Sequence, residues 1–156
     1  MSFPFKIKKI STLGDGSCLV HSIVQCIWPQ YKNLSYREKS NFVKNIRQEL
    51  SNLIDEKGVD GKSYYDRLSR GQLKELSKNF TETEKKEMKR FLKSNEYFSH
   101  LYLEFLSEVF EIDIYIIDYN TMDLYNTGDE ELLYKKRNSI LIGYDENSSH
   151  FESLEV

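Results

Sequence analysis

Gly14-Asp15-Gly16-Ser17-Cys18-Leu19-Val20-His21-Ser22-Ile23 is the stretch from which the rest of the chain can be read. Two glycines flank an acid, a small polar residue follows, and a cysteine opens an apolar run. Glycine permits positive φ and close approach of backbone to a neighbour or ligand. Ser17 is a good N-cap. From Cys18 to Trp28 the apolar residues fall at 19, 20, 23, 24, 27 and 28, a helical period closed by Pro29. Cys18 is therefore expected on the first turn of a buried helix, behind a tight loop of exposed amides. A thiolate nucleophile is favoured there: the positive end of the helix dipole lowers the thiol pKa, and loop N–H groups can hold a developing oxyanion. The same pattern also fits an inert core thiol, since free cysteine is among the most buried residue types.

The composition narrows the choices. The chain has 156 residues, one domain's worth (1–156), enough to bury roughly 70% of its unfolded surface. With 39% hydrophobic and 13% aromatic residues it can build a core rather than remain disordered. A net charge of −3 with 30% charged residues leaves no basic stripe, so no nucleic-acid partner is expected. No apolar run approaches a membrane span, and residues 1–6 carry no secretory apolar region. Two cysteines in such a chain point to reduced thiols, with a disulfide left open. A cytoplasmic location and a monomer are the expectations.

Along the chain, residues 3–13 read as an irregular or short extended lead-in. Ser35-Tyr36-Arg37-Glu38 is a capping box, followed by Phe42, Val43, Ile46, Leu50, Leu53 and Ile54 at helical spacing. A long helix to about Lys57, ended by Gly58, follows. Residues 58–79 are broken and polar, with room for one or two short helices. Thr81-Glu82-Thr83-Glu84 offers a second capping box, leading to Met88, Phe91 and Leu92. From Asn95, the residues Phe98, Leu101, Tyr102, Phe105, Leu106 and Val109 make another helical face, and its aromatics read as core. The period then changes: Ile112–Tyr119 is β-branched and partly alternating, a strand. Leu124-Tyr125 and Leu132-Leu133-Tyr134 flank a turn at Asn126-Thr127-Gly128, which fits a short hairpin or a ragged loop, and Ser139–Tyr144 and Phe151–Val156 are further strands. Helices first and strands late make an α+β fold.

Of three histidines, His150 stands at the mouth of the last strand, after the polar turn Asp145–Ser149. A histidine on a rigid element, remote in sequence, is the base that a thiol nucleophile requires. Glu152 falls on the same side of that strand and is a candidate to fix the imidazole tautomer. A surface histidine in a turn would look no different. His21 and His100 read mainly as packed residues, and Cys26 as a core thiol. Cys18, His21 and Cys26 lie along one helix with no second pair of soft ligands, so no metal site is expected. No Gly-Lys-Ser/Thr follows the glycines, so they do not make a phosphate loop.

Asp15 to Ile23 resembles the nucleophile motif of the ovarian-tumour (OTU) family of cysteine proteases, which remove ubiquitin from proteins. His150-Phe151-Glu152, after the Ile140-Leu141-Ile142 strand, resembles the family's histidine motif, and the 95–117 segment its middle portion. Val20 stands in place of a usual aromatic, and Glu152 is longer than the usual Asp or Asn. The resemblance implies a papain-like fold, a small, mostly antiparallel sheet packed with helices, and a groove between them. It implies hydrolysis of the bond after the C-terminal glycine of ubiquitin, with Cys18 as nucleophile, His150 as base, Asp15 and Glu152 as supporting acids, and no cofactor. The Asp15-Gly16-Ser17-Cys18 amides would hold the oxyanion. Tyr144 and Phe151 would wall the glycine channel, and Asp145 and Glu146 would meet the basic tail of ubiquitin or a polyubiquitin chain. The helices over 36–57 and 82–93 would grip the ubiquitin body. Two alternatives stay open: a thiol hydrolase for another ubiquitin-like modifier, and a non-catalytic ubiquitin-binding module. The weight of Lys, Ile, Asn and Tyr fits an AT-rich genome, such as that of a large virus or intracellular bacterium. The host cytoplasm would then be the setting and a host–pathogen role the context.

Overall fold

The computed structural model describes residues 7–69, 81–126 and 137–155. The elements run in the order β1 (Lys8–Ile10), α1 (Cys18–Ile27), α2 (Tyr36–Leu53), α3 (Tyr64–Ser69), α4 (Glu82–Lys93), α5 (Leu103–Phe110), β2 (Ile112–Asp118), β3 (Leu124–Asn126), β4 (Asn138–Asp145) and β5 (His150–Glu155). The strands form one sheet in the order β1-β5-β4-β2-β3. Three neighbouring pairs are antiparallel, and β2–β4 is parallel. The expected α+β class with a mostly antiparallel sheet is what the chain adopts.

Local chemistry accounts for most of the boundaries. Glu38 N–H donates to Ser35 Oγ at 3.2 Å and Ser35 N–H to Glu38 Oε1 at 2.9 Å, so both halves of the capping box hold the start of α2. Thr81 caps α4 through Glu84 N–H. Pro29 stops α1 and opens a 3₁₀ turn, Pro29–Asn33. Two boundaries differ from the sequence reading. α2 ends at Leu53 rather than near Lys57, and Gly58 is not its cap. Instead, a Lys57–Ser63 bridge and the Gly58 N–H bond to Lys62 O fold this segment into a tight loop, with Gly61 at φ +79° at its tip. The helix expected from Asn95 starts only at Leu103, after a 3₁₀ turn at His100–Tyr102. Backbone groups of Glu96 and Phe98 are bonded elsewhere, as described below, and cannot enter a helical ladder. Of the short helices expected in 58–79, α3 is one; residues 70–80 and the Leu132-Leu133-Tyr134 half of the expected turn lie outside the described residues.

α1 lies across β5 and β4 with Leu19, Val20, Ile23 and Val24 all buried, and Ser153 Oγ donates to Ser22 O at 2.8 Å. β4 and β5 form a hairpin through the turn at 146–149, pairing Tyr144 with Phe151 and Asp145 with His150. This hairpin carries the C-terminal motif to the first turn of α1. Among the described residues, no helix is long and apolar enough to cross a membrane.

Candidate active site

Phe151 N–H donates to Cys18 Sγ at 3.5 Å, a contact spanning 133 positions of chain. The first turn of α1 and the start of β5 therefore meet, and His150 is the residue adjacent to the donor, half-buried opposite Asp145.

The loop before Cys18 is built around Asp15. Its Oδ1 accepts from Ser17 N–H at 2.9 Å, and its backbone oxygen accepts from Cys18 N–H at 3.2 Å. Its Oδ2 lies 3.2 Å from His21 Nε2. Burial works to raise the Asp15 carboxyl pKa. The His21 bond and charge, the Ser17 amide and the Arg47 charge outweigh burial and hold it below the ordinary value. The Asp15 carboxylate can only accept, so His21 Nε2 carries a proton, and Nδ1 pairs with Tyr31 OH at 2.5 Å. His21 is fully buried and both ring nitrogens are occupied, so it is a packed residue, as expected. Ser17 and Cys18 N–H are both bonded to Asp15, whereas the Gly14, Asp15 and Gly16 amides of this loop have no acceptor among the described residues.

The two loop glycines differ in their reasons. Neither has positive φ. A Cβ at Gly14 would meet nothing within 4 Å, whereas one at Gly16 would overlap the Asn95 carbonyl oxygen and stand 3.0 Å from Glu96 C. Close approach at Gly16, not turn conformation, requires glycine here. Phe98 N–H donates to Gly16 O at 2.9 Å, stitching the segment after α4 onto the loop.

Four expectations are corrected. Ser17 occupies the N-cap position, but its side chain makes no cap bond; its Oγ accepts from Arg47 Nη1 at 2.9 Å. Cys18 is 1% exposed, and burial pushes its thiol pKa up despite the Phe151 N–H bond, where the helix dipole alone would lower it. Desolvation is the larger effect in this closed arrangement. Glu152 accepts from Tyr119 OH at 2.5 Å rather than from His150, because its longer side chain reaches the phenol that lies over Gly143. Phe151 is fully buried, so it backs the site instead of walling an open channel.

Tyr97 packs beside the site. Its ring stacks on Phe151 at 6.3 Å and 17°, its phenol hydrogen-bonds with Tyr144, and burial, that bond and the nearby Cys18 raise its pKa. Tyr144 packs on Phe151 at 4.7 Å and edge-on to His100 at 4.4 Å. Burial lowers the His100 pKa, and its Nε2 bonds Tyr125 OH at 2.5 Å. Asp145 Oδ1 accepts from Asn147 N–H at 3.0 Å, and Glu146 is exposed with its N–H on Asn120 Oδ1 at 3.0 Å. A cavity of about 400 Å³ lined in part by Cys26, Tyr115, Leu141 and Ser153 includes neither Cys18 nor His150. Sequence reasoning passed over Tyr97, Tyr119 and Arg47. Arg47 alone left a signal, as a charge four residues after Val43 and three before Leu50 on the inward stripe of α2.

Residues 13–151 match the model of the OTU-like cysteine proteases. A comparison with curated proteins found no match. Among solved structures, the OTU domain of OTUD1 superposes with a TM-score of 0.60 at 13% identity, over 96% of this chain and 86% of that one. The Hazara virus OTU bound to ubiquitin gives 0.53 at 16% identity, over 96% and 80%. An OTU deubiquitinase from Wolbachia pipientis gives 0.53 at 15% identity, over 98% and 90%. At these identities the structural likeness speaks for the fold. The family match, running from the loop before Cys18 to the residue after His150, is what makes this chain a member of the OTU-like cysteine proteases.

Proposed function

We propose that the chain is a deubiquitinating thiol protease that hydrolyses the isopeptide bond after the C-terminal glycine of ubiquitin. The observation that carries this reading is the Phe151 N–H bond to Cys18 Sγ, which brings the nucleophile motif and the histidine-bearing strand together. It is supported by the family match and by the likeness to OTU structures solved with ubiquitin.

Cys18 gives its proton to His150 and attacks the glycine carbonyl. His150 then protonates the leaving lysine amine, and water, activated by the same imidazole, releases the acyl group. The Asp15 and Gly16 amides are the oxyanion donors, since Ser17 and Cys18 N–H bond to Asp15. Asp15 acts by fixing this loop. Glu152, held by Tyr119, supports the His150 side of the site. Tyr144, with Phe151 behind it, shapes a channel for glycine, and Asp145 and Glu146 face the basic tail of the substrate. Because Cys18 is 1% exposed, turnover requires Tyr97 and its segment to yield.

The same burial favours the competing reading, a ubiquitin-binding module without turnover. An electrophilic ubiquitin probe and di-ubiquitin cleavage separate the two. Labelling of the wild type that is lost in Cys18→Ala, with cleavage abolished in Cys18→Ala and His150→Ala, is the expected result. Binding without labelling would establish the module instead, and labelling only by a ubiquitin-like modifier would move the substrate.

A further inference from the structure

Arg47 is a buried charge that the chemistry above does not use. It lies on α2 at 1% exposure, and burial pulls its pKa down to about 10 against the opposing charges of Asp15, Glu96 and Tyr102. A guanidinium removed from water is tolerated only when its donors are satisfied. Nε donates to Leu92 O at 2.8 Å and Nη2 to Phe91 O at 2.7 Å, both at the C-terminal end of α4, where the helix dipole is negative. Nη1 donates to Ser17 Oγ and to Glu96 O, each at 2.9 Å. The guanidinium carbon lies 5.2 Å from the Phe91 ring centroid and 4.8 Å from that of Phe98.

A residue serving stability alone could end at the α4 carbonyls. Here a single nitrogen bridges the residue before Cys18 and the segment that bonds Gly16 O through Phe98 N–H. With Ser17 Oγ turned to Arg47 instead of capping α1, the Cys18 and Leu19 amides bear on the Cys18 thiol and work to lower its pKa.

We propose that Arg47 is a positioning residue for the nucleophile, setting the Gly16–Cys18 loop and the 96–98 segment at a fixed height above β5 through its bridge from Ser17 Oγ to the Glu96 carbonyl. The proposal rests on Cys18 being the nucleophile. Arg47→Lys keeps the charge and loses the planar fork. Ser17→Ala cuts one arm of the bridge without removing a helix cap, and so covers the case in which Arg47→Lys folds poorly.

The test combines turnover of a ubiquitin C-terminal amide with iodoacetamide alkylation of Cys18 and Cys26, followed separately by mass spectrometry. Each single variant is expected to lower kcat roughly tenfold with KM within about twofold, since misplacing reacting groups costs rate rather than binding. The double variant should be no worse than Arg47→Lys within about threefold, because both remove one link. Cys18 alkylation should accelerate roughly fivefold, while that of Cys26, at the other end of α1, holds. Multiplicative losses in the double variant, a rise in KM at constant kcat, or parallel acceleration of both cysteines would overturn the positioning role. Selective acceleration of Cys18 in a protein that turns over no ubiquitin substrate would uphold it and sink the deubiquitinase reading instead.

Discussion

Gly16→Ala tests the packing that defines the site. A methyl group at 16 overlaps the Asn95 carbonyl oxygen and stands 2.9 Å from Asn95 C and 3.0 Å from Glu96 C, all backbone atoms that cannot rotate away. The segment must lift, which breaks Phe98 N–H to Gly16 O and stretches Arg47 Nη1 to Glu96 O. Overpacking costs roughly 1–3 kcal/mol, and each hydrogen bond lost about 1 kcal/mol, so the sum is roughly 2–4 kcal/mol. For a chain of this length that lowers the melting temperature by roughly 5–15 °C. Circular dichroism at neutral pH reads it directly. Gly14→Ala is the internal control, because its Cβ meets nothing within 4 Å and its φ is not positive. It should melt at or slightly above the wild type, through loss of unfolded-state entropy. Gly16→Ala melting within about 2 °C of wild type would refute the close-approach argument, since even the low end of the estimate gives more.

Further outcomes follow from the buried polar groups. Tyr31→Phe leaves His21 Nδ1 without its partner in a fully buried setting, which should cost roughly 1–3 kcal/mol; an unchanged melting point would show that this bond does not hold the site. Asp15 holds a lowered pKa, so as pH falls the unfolded chain takes up the proton first. Its stabilising contribution is present above about pH 4 and is lost below it. Asp15→Asn should therefore flatten the acid limb of the stability curve, and a limb as steep as the wild type's contradicts the assignment. Cys18 has the opposite sign: its raised pKa favours the folded state until the pH passes the ordinary thiol value, and stability falls above that. Alkylation of Cys18 should have a midpoint above about 8.5, and one near 7 would mean the thiol is charged in the resting protein.

Local rules made much of this protein legible before any coordinates. The Ser35–Glu38 box, the Pro29 stop, the 3.6 period of α1 and α2 and the β-branched run of β2 are encoded within a few residues of where they act. So is the order of the two motifs, because a helix-start thiol and a strand-start histidine each carry their own signature. Partnership is different, since it is a property of distance across the fold. Nothing near Ser17 says that its hydroxyl faces Arg47 thirty residues on instead of the α1 amides. Nothing near Glu152 says that Tyr119 waits over Gly143. The pKa of Cys18 reversed direction for the same reason. A helix N-terminus is visible in sequence, but the desolvation that outweighs it comes from packing by side chains such as Phe151 that are remote in the chain. Backbone periodicity is short-ranged and belongs to the sequence, whereas burial and hydrogen-bond choice are settled when distant segments compete for the same space.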